Sequence, residues 1–148
     1  MLMLLSCGKK GNKNELTFGI WDRQQEPAMS AIAREFEKEN PGIKIKVQVI
    51  GWNEYWTKLE ASATGGALPD IFWMHSTKFY DYASNNMLLK VDKNIDNGFK
   101  HYPEQLVKLY QFEGKQYAVP KDYDTIGVFY NKELFDKAGV PYPDGTWD

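Results

Sequence analysis

Three of the five tryptophans in this 148-residue chain, Trp21, Trp52 and Trp73, stand where an apolar run gives way to polar residues. Such rings suit noncovalent binding, because Trp and Tyr present a flat apolar body with a polar tip. Five Trp, nine Tyr and eight Phe make 15% of the chain aromatic, more than a core of this size needs. An aromatic-rich core is the alternative reading. Asp122 and Asp124 lie two apart and can share one face of an extended segment, which raises a secreted glycosidase as a further alternative. That chemistry needs carboxylates flanking the scissile bond from opposing sides at about 5–9 Å, and neighbours on one strand supply it poorly. No nucleophile elbow or glycine-rich phosphate loop is present, and no cofactor is called for. The single cysteine, Cys7, excludes an intrachain disulfide and a multi-cysteine zinc site. His75 and His101 are too far apart in sequence to suggest a His-rich metal centre.

The formal net charge is −2, so no basic field exists to attract nucleic acid. The run Met1–Leu5 is too short to span a bilayer, which takes about 20 residues, and no basic segment precedes it. It reads as the remnant of a signal peptide. Leu4-Leu5-Ser6-Cys7 resembles the bacterial lipobox, in which Cys7 would carry the lipid. Residues 8–14 then read as a flexible tether.

From residue 15 the pattern alternates between strand and helix. Leu16, Phe18 and Ile20 share one face of a strand ending at Trp21. Met29, Ile32, Ala33 and Phe36 follow at helical spacing over 27–39, with Pro27 in the first turn and Asn40-Pro41-Gly42 as the stop. Ile43, Ile45, Val47 and Val49 alternate with polar residues in a second strand. Asn53 is the expected cap of a helix running to Thr64, closed by Gly65-Gly66 and carrying Trp56 and Leu59 toward the core. Residues 70–74 form a short buried strand, and Asp70 is expected to orient its entry. Helical turns are expected near 77–86, 92–98 and 103–110, and a hairpin at Glu113-Gly114-Lys115. A further strand is expected over 125–130, then a helix over 132–138 closed by Gly139. Strands separated by helices imply a parallel α/β sheet. In such sheets ligands bind beyond the carboxyl ends of the strands, which is where Trp21, Trp52 and Trp73 fall.

Five segments then carry a resemblance: Phe36–Val47 (FEKENPGIKIKV), Leu68–His75 (LPDIFWMH), Tyr117–Pro120 (YAVP), Tyr130–Phe135 (YNKELF) and Thr146–Asp148 (TWD). Their order over 15–148 resembles the N-terminal lobe of family 1 extracellular solute-binding proteins, the group of maltose-binding protein. The resemblance implies an α/β fold of periplasmic-binding-protein type II. The first lobe, a mostly parallel sheet flanked by helices, covers 15–120. The hinge and the start of the second lobe lie in 121–148, with most of that lobe absent. It also implies a monomeric extracytoplasmic lipoprotein, anchored to the membrane, that captures a mono- or oligosaccharide and delivers it to the permease subunits of an ABC importer.

Within that resemblance, Trp73 matches a sugar-contacting aromatic, His75 follows two places on, and Ser76 and Thr77 take positions that are polar or charged sugar contacts in maltose-binding protein. Trp21 matches the aromatic at the first strand end, and Asp124 a carboxylate just past the hinge. Trp52 adds a platform, and Asp22 and Gln25 add polar partners. His75 also reads as an orienter of its loop. A surface lipoprotein that binds a protein partner through its aromatics is the remaining alternative.

Overall fold

A computed structural model describes residues 14–91 and 98–146. Cys7, all of the tether but Asn14, most of the helix expected at 92–98 and Trp147 lie outside the described residues. Strand β1 (Glu15–Ile20) leads into α1 (Glu26–Glu39), β2 (Lys44–Val49), α2 (Trp52–Thr64), β3 (Ile71–Phe72) and α3 (Ser76–Ser84). After a single 3-10 turn (Gly98–His101) come α4 (Glu104–Lys108), the two-stranded hairpin β4 (Gln111–Phe112) and β5 (Lys115–Gln116), and α5 (Lys132–Ala138). The main sheet runs β2-β1-β3 with both pairings parallel. This is the arrangement that alternating strand and helix patterns require.

Each face of β1 receives a different helix. Leu16 and Phe18 join Met29, Ala33 and Phe36 of α1 around an apolar groove that Ile45 and Ile71 also line. Gly19, on the opposite face, lets α2 and the approach to β3 come close. A Cβ there would stand 3.4 Å from Pro69 Cγ and 3.7 Å from the Tyr55 hydroxyl. Tyr55, Leu59 and Tyr82 form the core between α2 and α3, with Leu68, Phe72, Met74 and Leu88 packed around them. Burial pushes the Tyr82 phenol up to about 12, helped by the charges of Glu60 and Asp81.

Polar side chains fix where the elements begin and end. Glu37 near the end of α1 accepts from Lys44 Nζ at 2.8 Å and from the Ile45 amide at 2.8 Å, tying the helix to the start of β2. Those two bonds, the lysine first, hold its carboxyl below the usual range. Asn40 closes α1 through its backbone amide and side-chain amide, both donating to Phe36 O at 2.9 Å.

Several expectations change. Gly51, not Asn53, precedes α2, because its extended backbone (φ −57°, ψ 149°) aims its carbonyl at the amides of Glu54 and Tyr55. Asn53 therefore lies inside the helix. Tyr55 joins Leu59 in the fully buried core, being four residues from it on one stripe, and Trp56 packs against them as expected. Residues 125–130 form no strand. Ile126 and Phe129 are fully exposed, since no strand edge among the described residues lies alongside to satisfy the backbone. The helix expected at 103–110 is limited to 104–108, and that at 77–86 starts at Ser76 and ends at Ser84.

Asp70 orients the entry to β3 as expected. Its Oδ2 accepts from the Thr17 amide and the Thr17 hydroxyl, each at 2.8 Å, and its own amide donates to Thr17 Oγ1 at 3.0 Å. These bonds, the Thr17 amide foremost, hold the carboxyl below its ordinary value. A depressed folded-state pKa contributes stability above the unfolded value near 3.9 and loses it as pH falls through the folded value. Asp70→Ala should therefore lower stability at pH 7 by about 1 kcal/mol, the exposed site being screened. Denaturant midpoints measured at pH 7 and pH 3 should show the gap between wild type and variant closing at the acid end.

Candidate ligand-binding site

Parallel strands deliver their carboxyl ends to one edge of the sheet, and here aromatic rings collect at that edge. Trp21 follows β1, Trp73 follows β3, and Trp52 opens α2 just beyond β2. Positions 52 and 56 stand one turn apart, so Trp56 extends the row begun by Trp52. Trp21 is the hub, with ring centroids 5.1 Å from Trp73, 5.2 Å from Trp52, 5.3 Å from Tyr55 and 5.8 Å from Trp56. Trp52 lies 5.4 Å from Trp56 and 5.6 Å from the His75 imidazole. Most of these contacts are edge-to-face, the geometry that the ring quadrupole favours.

The rings differ in what they show to solvent. Trp52 is 45% exposed, Trp21 and Trp56 are half-buried, and Trp73 retains only 7%. Trp73 meets the ring edges of Trp21 and Phe18, and the Lys121 ammonium lies over its ring at 4.2 Å from the centroid. Beneath the wall, the Tyr55 hydroxyl donates to Trp73 O at 2.8 Å, with Gly19 O at 3.3 Å. Burial holds that phenol well above its ordinary value. Tyr110 donates to Met74 O at 3.3 Å, and burial, aided by the Asp122 charge, raises its pKa as well.

A polar chain borders the wall. Asp22 accepts from the Gln24 amide at 2.8 Å and from Gln25 Nε2 at 2.9 Å. Gln25 Oε1 accepts from Lys121 Nζ at 3.0 Å, and Lys121 also pairs with the Asp122 carboxylate. His75 caps α3, its Nδ1 lying 2.8 Å from Thr77 Oγ1 and 3.3 Å from the Thr77 amide, with Ser76 as the first helical residue. Trp21, Trp52, Trp73, His75, Asp22 and Gln25 are thus gathered at one edge, with Ser76 and Thr77 at the adjoining helix start. Asp124 lies on the exposed segment after Lys121, and among the described residues no hydrogen bond or ion pair joins it to the wall.

Sequence reasoning missed Tyr55 and Lys121 and gave Trp56 to the core alone. The first and third had a signal in the spacing 52/56 and 55/59 on one helix. Lys121 had none, because its partner Gln25 is 96 residues away. The Trp56 indole N–H is buried without a partner among the described residues.

Residues 21–148 match the profile of the bacterial extracellular solute-binding protein family. The chain is 28% identical to the arabinooligosaccharide-binding protein of Bacillus subtilis over 149 aligned positions, covering 97% of this chain and 34% of that protein. It is similar to the structure of an ABC substrate-binding protein from Listeria monocytogenes in complex with cycloalternan, at 34% identity and a TM-score of 0.60, covering 90% of this chain and 35% of the other. The GacH receptor of Streptomyces glaucescens, solved unliganded and with acarbose, shares 34% identity and a TM-score of 0.70 over 87% of this chain and 34% of its own. The chain thus spans about a third of the length of the relatives it matches, and its fold is that of the type II periplasmic binding proteins.

Tyr55→Phe removes the hydroxyl that holds the Trp73 carbonyl in the core. It should destabilise the protein by about 1–2 kcal/mol and weaken the near-ultraviolet dichroism of the clustered tryptophans. Thermal unfolding and circular dichroism would check both.

Proposed function

The chain belongs to the bacterial extracellular solute-binding proteins, and on that premise we propose that it contributes one aromatic-lined half of a cleft that captures a saccharide for an ABC importer. The observation that carries this reading is the cluster of four tryptophans at the carboxyl edge of the sheet, with Trp52 open to solvent. A pyranose has an apolar C–H face and a rim of hydroxyls. Laying that face on Trp52 removes apolar area from water at about 25 cal/mol per Å². The neighbouring carboxylate of Asp22 and amide of Gln25 supply the fixed acceptors and donors that hydroxyls require. Relatives named for arabinooligosaccharide binding and solved with cycloalternan or acarbose support the ligand class.

In this proposal residues 15–120 form the first lobe, and 121–148 cross toward a second lobe that completes the cleft. Asp124, on the crossing segment, faces the ligand only once that second wall is in place, as do Ser76 and Thr77 at the rim. Ligand shifts the protein toward the closed form, which the permease recognises. The protein binds sugar without turning it over. It works outside the cytoplasm, held by a lipid on Cys7 and the tether of residues 8–14.

Calorimetry of the full-length protein against a panel of mono- and oligosaccharides tests the ligand class. At least one saccharide should bind, and Trp52→Ala should weaken it about tenfold while the protein stays folded by circular dichroism. Stabilisation by amino acids or polyamines alone would sink the saccharide assignment, and release of reducing ends on incubation would favour the glycosidase. Cys7→Ser should move the protein from the membrane fraction to the medium or periplasm and abolish labelling with a radioactive fatty acid.

A further inference from the structure

Lys121 belongs to no expected contact set, yet it sits against the most deeply buried tryptophan of the wall. Its ammonium carries three protons and no acceptor. Gln25 Oε1 and the Asp122 carboxylate take two, and the charge rests over the Trp73 ring at 4.2 Å from its centroid. Two of the three protons are thus engaged, and the group is held against the ring from both sides. A sugar stacked on Trp73 would bring its carbons to about 4 Å from the same ring face, so the ammonium and a pyranose cannot occupy that face together. Trp52 has no such cover.

We propose that Lys121 is a specificity-determining residue that closes the Trp73 face to sugar stacking and leaves Trp52 as the open platform. The inference rests on the saccharide reading above and deepens it. A ligand short enough to use Trp52 alone binds with Lys121 in place. A longer one that needs a second platform at Trp73 has to displace the ammonium, losing a cation–π contact and two charge-assisted hydrogen bonds. The residue thereby discriminates by saccharide length, and its polar partners Gln25 and Asp122 set how firmly it does so. The cover is a cationic group seated on the ring face, so arginine, which also stacks on aromatic faces, preserves it while alanine removes it.

Two measurements on the full-length protein test this. Without ligand, Lys121→Ala should make tryptophan fluorescence more quenchable by acrylamide, and Lys121→Arg should leave it at the wild-type level. Unchanged quenching in the alanine variant overturns the cover, whatever the sugars do. In calorimetry with linear saccharides of one to four units, Lys121→Ala should tighten binding of the longer members about three- to tenfold and leave the monosaccharides as in wild type. Weaker binding of the longer members overturns the proposal and makes Lys121 a ligand donor instead. If no saccharide binds wild type or variant, the saccharide reading fails and takes the length selectivity with it, while the quenching result alone decides the cover.

Discussion

The Tyr55 hydroxyl, set 2.8 Å from Trp73 O and 3.3 Å from Gly19 O, pins α2 across the ends of two neighbouring parallel strands. Gly19 O already accepts from the Trp73 amide at 3.0 Å, but Trp73 O would otherwise face an apolar core. A buried carbonyl without a partner is costly, so the tyrosine both satisfies the sheet and fixes the helix against it. Gly19 makes the approach possible, because any side chain there would meet Pro69 and Phe72 near van der Waals contact. The position of α2 in turn decides where Trp52 and Trp56 stand, since both project from the same helix one turn apart.

Around that anchor the aromatic wall forms as a set of mutual edge contacts rather than as a row of parallel plates. Trp21 touches four other rings and is left half-buried by them. The arrangement divides labour between rings of the same type. Trp21 and Trp73 give rigidity, while Trp52, at the edge of the cluster and the start of α2, keeps a face in water. A wall of this kind is preorganised, so little ordering is left for a ligand to impose.

The polar border is electrically mixed, with Asp22 and Asp122 on either side of Lys121 and Gln25 relaying between them. One ammonium is thereby shared between an amide oxygen and a carboxylate, with a second carboxylate holding that amide in place. It also links the loop after β1 to the segment that leaves the hairpin. The residues that border the site are therefore coupled to the direction in which the chain departs from the sheet.

The sequence alone determined the order of elements, the parallel sheet, the hairpin at Glu113-Gly114, the helix closed by Gly139 and the placing of three tryptophans at strand ends. Those features rest on periodicity, turn residues and one topological rule, each legible within a few neighbouring positions. Only the tertiary structure decided that Trp73 is enclosed while Trp52 is open, that Tyr55 is the fully buried ring of α2 with Trp56 packed beside it, and that Gly51 precedes α2. It also decided that Ile126 to Tyr130 stay unpaired, because a β pattern becomes a strand only where another edge accepts its hydrogen bonds. The seat of Lys121 over Trp73 was beyond any local pattern. A cation, a ring and an amide from three distant segments meet there only after the sheet has brought its carboxyl ends together.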